Sequence, residues 1–287
     1  MATATSSAES KTEVKAARPA SLGGGAWRGT ALVVVLRIAV IALTVVLWQV
    51  MSGPVLPEYA VSKPTDVAHA LWKLLGSSAG WTDIRTTAFE IVAGFGIGVA
   101  IGTVMGLVLG SVPLAGRVFE PLIAAVNGIP KIALAPLFLL FFGIGPMSKI
   151  TIAATGVAFV VFYNVYLGLR LRDHELVEIV QVMGGGRHHV LSYVTLPTLA
   201  APFFAALKTG GPLAILGVIG GEFIASTDGI GHELFTAATN LDAPTEFAGL
   251  IILVAMTLIL NGILTGLDTL ALKRLGLGDR RSRAKGN

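Results

Sequence analysis

An all-α, polytopic membrane protein with six transmembrane helices is the fold class this chain predicts, on three observations. Hydrophobic residues make up 54% of it and charged residues 13%, with a mean hydropathy of +0.77, whereas about a quarter of a soluble domain is charged. The apolar residues gather into runs of about 20 or more, enough to span a bilayer as helices. Lys and Arg cluster at alternate ends of those runs rather than in one patch, so the net charge of +4 marks membrane topology and not nucleic-acid binding.

Residues 1–30 are rich in Ala, Ser, Thr, Gly and Lys and hold too little apolar surface to offset the entropy of ordering, so a flexible tail is expected. Ala31 to Met51 form the first span. A secretory signal would need a shorter basic region and a small-residue cleavage site, so this span is expected to be retained. Arg37 lies near one end of it, where its side chain can snorkel, and Trp48 suits the opposite interface. Residues 53–85 form an outer segment with a short amphipathic helix, Val67, Leu71 and Leu74 sharing a face that excludes Asp66 and Lys73.

The second span, Thr86 to Gly110, has a glycine at every fourth position, Gly94, Gly98, Gly102, Gly106 and Gly110, with Gly96 added. That spacing predicts a smooth ridge along which a second helix can approach closely. The third span, Phe119 to Phe142, is expected to be kinked by Pro121, Pro130 and Pro136. A tight turn at Gly143 to Pro146 leads to the fourth, Ser148 to Leu169.

A polar interruption at 173–197 follows. Asp173 can cap a short helix whose apolar positions Leu176, Ile179, Val180 and Met183 recur at helical spacing, leaving Glu175 and Glu178 on the wet side. Gly184, Gly185 and Gly186 end that helix. A second short helix with Val190, Leu191 and Val194 on one side is expected next, before Pro197 opens the fifth span, Thr198 to Glu222. An outer segment with Asp228, Gly229, Gly231 and His232 precedes the sixth span, Phe247 to Leu272. The membrane domain is thus 31–272, and 273–287 is a basic tail.

Orientation follows from the cations. Of the 21 Lys and Arg, 14 fall in the two tails, at Arg117 and in the 170–190 loop, and four, Lys63, Lys73, Arg85 and Lys149, fall on the other side. Both termini and the polar interruption are therefore expected in the cytoplasm.

Several chemistries are excluded. The chain has no cysteine and no His-Glu-x-x-His pattern, and its five histidines are scattered, which argues against a membrane enzyme. Adjacent His188 and His189 point to different sides of a helix and make a poor metal pair, so they read as solvated. Gly94 to Gly98 follows no strand and precedes no Gly-Lys-Ser/Thr, so it is no phosphate loop, and no ATP-binding motif occurs elsewhere. Repeated halves of the kind frequent in secondary transporters are not found.

Polar groups inside spans are candidates for a substrate path. Lys131 and Lys208 lie about 12 and 10 residues into spans three and five, roughly 15 to 18 Å from the inner face. Two cations at similar depth would bias a path toward anions; the other reading pairs each with a carbonyl or helix end. Asn127, Asn164 and Glu222 are further candidates. Glu222 lies ~21 Å along the helix from Lys208, which rules out an ion pair between them and leaves a gate, a contact to an external protein or a structural hydrogen bond.

The polar interruption carries a resemblance. Glu178, Gly184, Val194, Leu196 and Pro197 match in register the EAA loop of permease subunits of ATP-binding-cassette importers, with Ile179 and Val180 in place of its two alanines. Further stretches resemble the nitrate, sulfonate, taurine and bicarbonate group of those permeases: Lys63-Pro64-Thr65 to Leu71, Thr86 to Gly98, Pro130 to Phe138, Phe142 to Gly145, and Ser148 to Ile150.

The resemblance implies a type I importer permease (MetI-like) fold in a bacterial inner membrane, not itself an enzyme. It implies a homodimer, two ATPase subunits that bind ATP and Mg, and a separate substrate-binding protein. No cofactor is expected in this chain. Glu175, Glu178, Ile179, Val180, Met183, Gly184 and Gly185 would then couple to the ATPase, in an alternating-access cycle driven by ATP. The substrate implied is a small anion such as a sulfonate, taurine, nitrate or bicarbonate, or alternatively a vitamin, a pyrimidine precursor or an aromatic acid. The alternative of another class is a secondary transporter, which would work without an ATPase.

Overall fold

The computed structural model describes residues 26–274 apart from 56, 59, 113, 115–117, 120, 124, 126 and 127, with side chains from 32 onward. Most of both expected tails, Arg117 and Asn127 lie outside the described residues. The chain divides into two units, 1–50 and 51–287. The first holds α1, Ala26–Met51, which begins five residues before the expected start of the first span.

Among the described residues, the regular elements of the second unit are helices. It runs α2 (Pro64–Gly76), α3 (Ser78–Ser111), a 3-10 turn (Lys131–Leu134) into α4 (Ala135–Phe142), α5 (Pro146–Arg170), α6 (His174–Val182), α7 (Arg187–Val190), α8 (Leu196–Ile224), α9 (Ile230–Thr239) and α10 (Ala243–Arg274). Among the described residues, five helices including α1 are long and apolar enough to cross a membrane, and the part of the remaining expected crossing from 131 onward is the shorter apolar stretch Lys131–Phe142. Pro130 stands before the 3-10 turn and Pro136 in the first turn of α4, so the helix restarts where proline leaves no amide to donate.

α5 is the central helix. Its Ala153, Val157, Val161 and Val165, four residues apart, are buried between α3 and α8 with Ile91, Ala206, Leu207, Ala214 and Val218. α3 approaches along its glycine row: a methyl at Gly94 would stand 2.7 Å from Ala153 Cβ and one at Gly106 2.7 Å from Val165 Cβ. α8 comes equally close, since a methyl at Gly217 would meet Ala153 Cα at 2.8 Å. α3 starts eight residues before the expected second span, because Ser77 caps it by accepting a 3.0 Å hydrogen bond from the Gly80 amide.

A second apolar cluster joins Ile230 and Leu234 of α9 to Ile252 of α10, with Leu71 and Leu74 of α2 and Ile84 of α3 against it. The amphipathic helix α2 thus rests on the bundle through the face that carries Val67, which is buried.

Candidate functional site: the polar segment, the buried charges and the Lys131 cavity

Three groups of residues are built by this packing, beginning with the polar segment. The Asp173 carboxylate caps α6 by accepting a 2.9 Å hydrogen bond from the Glu175 amide. At the other end the Gly185 amide donates to Val180 O at 2.8 Å and the Gly184 amide to Gln181 O at 2.9 Å. Gly184 carries φ +82° between them. Paired bonds of this kind around a left-handed residue are a Schellman closure, which stops the helix at one residue and satisfies its last carbonyls.

α6 differs from the expected helix at one apolar position, Val180, which is half-buried where Leu176, Ile179 and Met183 are exposed. Val177 and Val180 are half-buried and Gln181, though exposed, borders a cavity on the bundle side, while Leu176, Ile179, Val182 and Met183 are exposed, the last two at 87% and 83%. Glu175 and Glu178 are exposed too. The helix therefore presents an apolar surface with acidic neighbours away from the spans.

The second short helix also differs. α7 passes through a π turn, Leu191–Thr195, straight into α8, so that one apolar helix runs from Arg187 to Ile224. Pro197 lies in the first turn of α8 and does not break it, because the wider turn before it absorbs the missing amide hydrogen bond.

At the opposite end of the bundle, three charged side chains are buried together: Glu90 of α3 at 0% exposure, Lys149 of α5 at 3% and Glu222 of α8 at 1%. Lys149 Nζ lies 3.4 Å from Glu90 Oε1 and 3.4 Å from the Ile144 carbonyl oxygen. Glu222 Oε1 accepts from Thr87 Oγ1 at 2.7 Å and Oε2 from the Gly231 amide at 2.6 Å. Thr87 Oγ1 in turn accepts from the Ile230 amide at 2.9 Å, and Asp83 accepts from the Gly229 amide at 2.8 Å. Gly229 has φ +109°, and a methyl there would collide with the Glu222 carboxylate. Glu222 thus makes a hydrogen bond to a neighbouring helix.

The two intramembrane lysines are not equivalent. Lys208 Nζ is bonded to Asp268 Oδ2 at 2.5 Å, joining α8 to α10, so its charge is neutralised within the protein. Lys131 lies with its ammonium 5.2 Å from the centroid of the Phe159 ring. It borders a cavity of about 330 Å³ lined mainly by apolar side chains, among them Ile132, Ile152, Val160, Leu213 and Leu216. Asn164 donates to the Val160 carbonyl at 2.8 Å within its own helix. His188 and His189 are exposed with ring centroids 5.8 Å apart, and among the described residues no group of His, Cys, Asp or Glu could hold a metal ion.

Comparison with known proteins gives this arrangement its family. Residues 98–276 match the binding-protein-dependent transport system inner membrane component. The chain belongs to that family. Relatives of this permease include the riboflavin transport system permease protein of Chloroflexus aurantiacus, 31% identical over 78% of this chain and 84% of the relative. The formylaminopyrimidine transport permease protein of Halalkalibacterium halodurans is 26% identical over 74% and 84%. The taurine transport system permease protein of Escherichia coli is 24% identical over 76% and 82%.

Sequence reasoning passed over three of the charged groups that the permease buries. Glu90 and Asp268 lie inside apolar runs, the same signal that marked Lys131 and Lys208. Lys149, at the head of a span, read as an exposed outer cation but is buried against Glu90.

Proposed function

We propose that this permease subunit carries a small organic solute inward in an ATP-driven, binding-protein-dependent importer. ATP hydrolysis is assigned to two copies of a separate subunit, which hold the ATP and Mg, and substrate is delivered by an extracytoplasmic binding protein. A second copy of the chain completes the path, with both termini on the cytoplasmic side of the cell membrane.

The observation that carries this reading is α6: an exposed apolar face of Leu176, Ile179, Val182 and Met183 beside Glu175 and Glu178, closed by Gly184 and Gly185. A helix of this form lays its apolar side into a partner's groove. ATP binding would draw the two copies of α6 together and rock the spans outward-open; hydrolysis would reset them.

For the solute, Lys131 is a cation on the wall of a cavity whose lining is otherwise mainly apolar, which suits an organic acid such as a sulfonate better than nitrate or bicarbonate. A second reading, a heteroaromatic vitamin or its precursor, is favoured by the apolar lining of the same cavity, which suits a flat ring, and by the riboflavin permease among the relatives.

Affinity purification from mild detergent followed by an ATPase assay tests the importer. An ATPase subunit should copurify, with hydrolysis stimulated by a binding protein. A chain that purifies alone and still transports solute in vesicles would make it a secondary transporter instead. Lys131→Ala should lower uptake without changing binding-protein affinity, and unchanged uptake would remove Lys131 from the path.

A further inference from the structure

Behind α6, on the side away from its exposed apolar residues, lie two cavities of about 340 and 460 Å³. They share Ser111, Leu169 and Arg172 as walls; the first adds Arg170 and His174, the second Gln181, Arg187 and Thr195. Three guanidinium groups, an imidazole and two hydroxyls therefore line this region, and no carboxylate is among its described walls.

The donors there exceed the acceptors. Arg172 donates to Thr195 Oγ1 at 3.3 Å, while its Nε is buried with no hydrogen-bond partner among the described residues. Arg170 donates to the Tyr166 hydroxyl at 2.8 Å and its guanidinium carbon lies 5.4 Å from the centroid of that ring, which holds it in place. A buried donor left without an acceptor is unfavourable. The partner that suits planar forks of N–H groups is an oxyanion with several acceptor oxygens, a phosphate above all.

We propose that the two cavities form one site for a phosphate-type anion, either a lipid headgroup or free phosphate. Arg170 closes a span of 25 residues, which sets the site at headgroup depth, where basic pockets between helices take anionic lipids. The occupant would bridge the end of α3 at Ser111, the end of α5 at Arg170 and Arg172, α6 at Gln181 and α7 at Arg187. It would thereby clamp the docking helix to the spans it moves, a consequence that rests on the function proposed above, whereas binding itself does not.

The test uses the full chain in neutral detergent, with native mass spectrometry after addition of phosphatidylglycerol or phosphatidylcholine. Wild-type protein should retain phosphatidylglycerol in clear excess. Arg172→Gln and Arg187→Gln should each reduce that retention about fivefold, and Arg172→Lys should keep part of it. Arg187 is exposed, so its variant should elute as the folded wild type does. Release of the lipid by millimolar inorganic phosphate would identify free phosphate as an occupant, and retention despite it would identify the lipid. Equal retention of both lipids together with no release of either by phosphate, or retention unchanged in both glutamine variants, would overturn the site. Since no ATPase is present in the assay, failure here leaves the importer reading intact, and failure of coupled uptake leaves the site intact.

Discussion

Thr87 and Glu222, 135 residues apart, meet in a buried 2.7 Å hydrogen bond that ties α3 to α8. The same threonine oxygen accepts from the Ile230 amide, so one hydroxyl serves three elements. Thr87→Val keeps the shape and removes the hydroxyl, stranding a carboxylate oxygen and an amide. A loss of ~2 to 4 kcal/mol is expected, from two buried groups at ~1 to 2 each. Thermal unfolding in detergent checks it, and an unchanged midpoint would mean that the contact contributes nothing to stability.

The α3–α5 contact makes a sharper comparison within one helix. Gly98→Val should destabilise by several kcal/mol, because a Cβ there would already stand 2.7 Å from the Ala154 carbonyl oxygen. Gly96→Ala, where a methyl meets nothing within 4 Å, should be neutral or gain up to ~1 kcal/mol from helix propensity. Equal effects at the two positions would contradict the close packing.

Lys208 and Asp268 form a pair whose members should be coupled. Lys208→Ala leaves the Asp268 side chain, 4% exposed, without its ammonium, and about 2 kcal/mol of destabilisation is expected, below the value for a fully buried pair because Lys208 is one-third exposed. Adding Asp268→Ala should restore most of that stability. A double-mutant cycle measures the coupling, and additive losses would show that the pair is incidental.

The Schellman closure of α6 predicts a separation of stability from function. Gly184→Pro demands φ near −65° where the chain has +82°, and it deletes the amide bonded to Gln181 O. Membrane insertion should persist, since α6 lies outside the spans, while hydrolysis and uptake become uncoupled. Glu178→Arg should act likewise by reversing charge on the exposed face. Normal coupled uptake in both would refute the docking role.

What could be read from sequence follows the range of the interaction concerned. The glycine row and the Asp173 cap are local patterns, visible because their period or spacing lies within a few residues. The pairings Lys149–Glu90 and Lys208–Asp268 join different helices, so the chain shows only isolated charges in apolar surroundings. The continuity of α7 with α8 was hidden for another reason: Pro197 signals a helix start, and the π turn that accommodates it has no sequence signature. Likewise, the apolar spacing of α6 marks a hydrophobic face but not whether that face meets the bundle or a partner.

The unbroken run from Arg187 to Ile224 has a mechanical consequence. Its 38 residues form a lever about 57 Å long, with one end beside α6 and the other carrying Glu222. A tilt of ~10° pivoted near Pro202, about 33 Å from the far end, would carry that end about 6 Å, on the scale of a small solute. The backbone ladder is interrupted at the π turn and Pro202, and again at Pro212 within the arm, and the tip is anchored by the hydrogen bonds of Glu222. If α6 docks as proposed, small displacements there would be amplified at the opposite end of the bundle, where a few hydrogen bonds hold the tip.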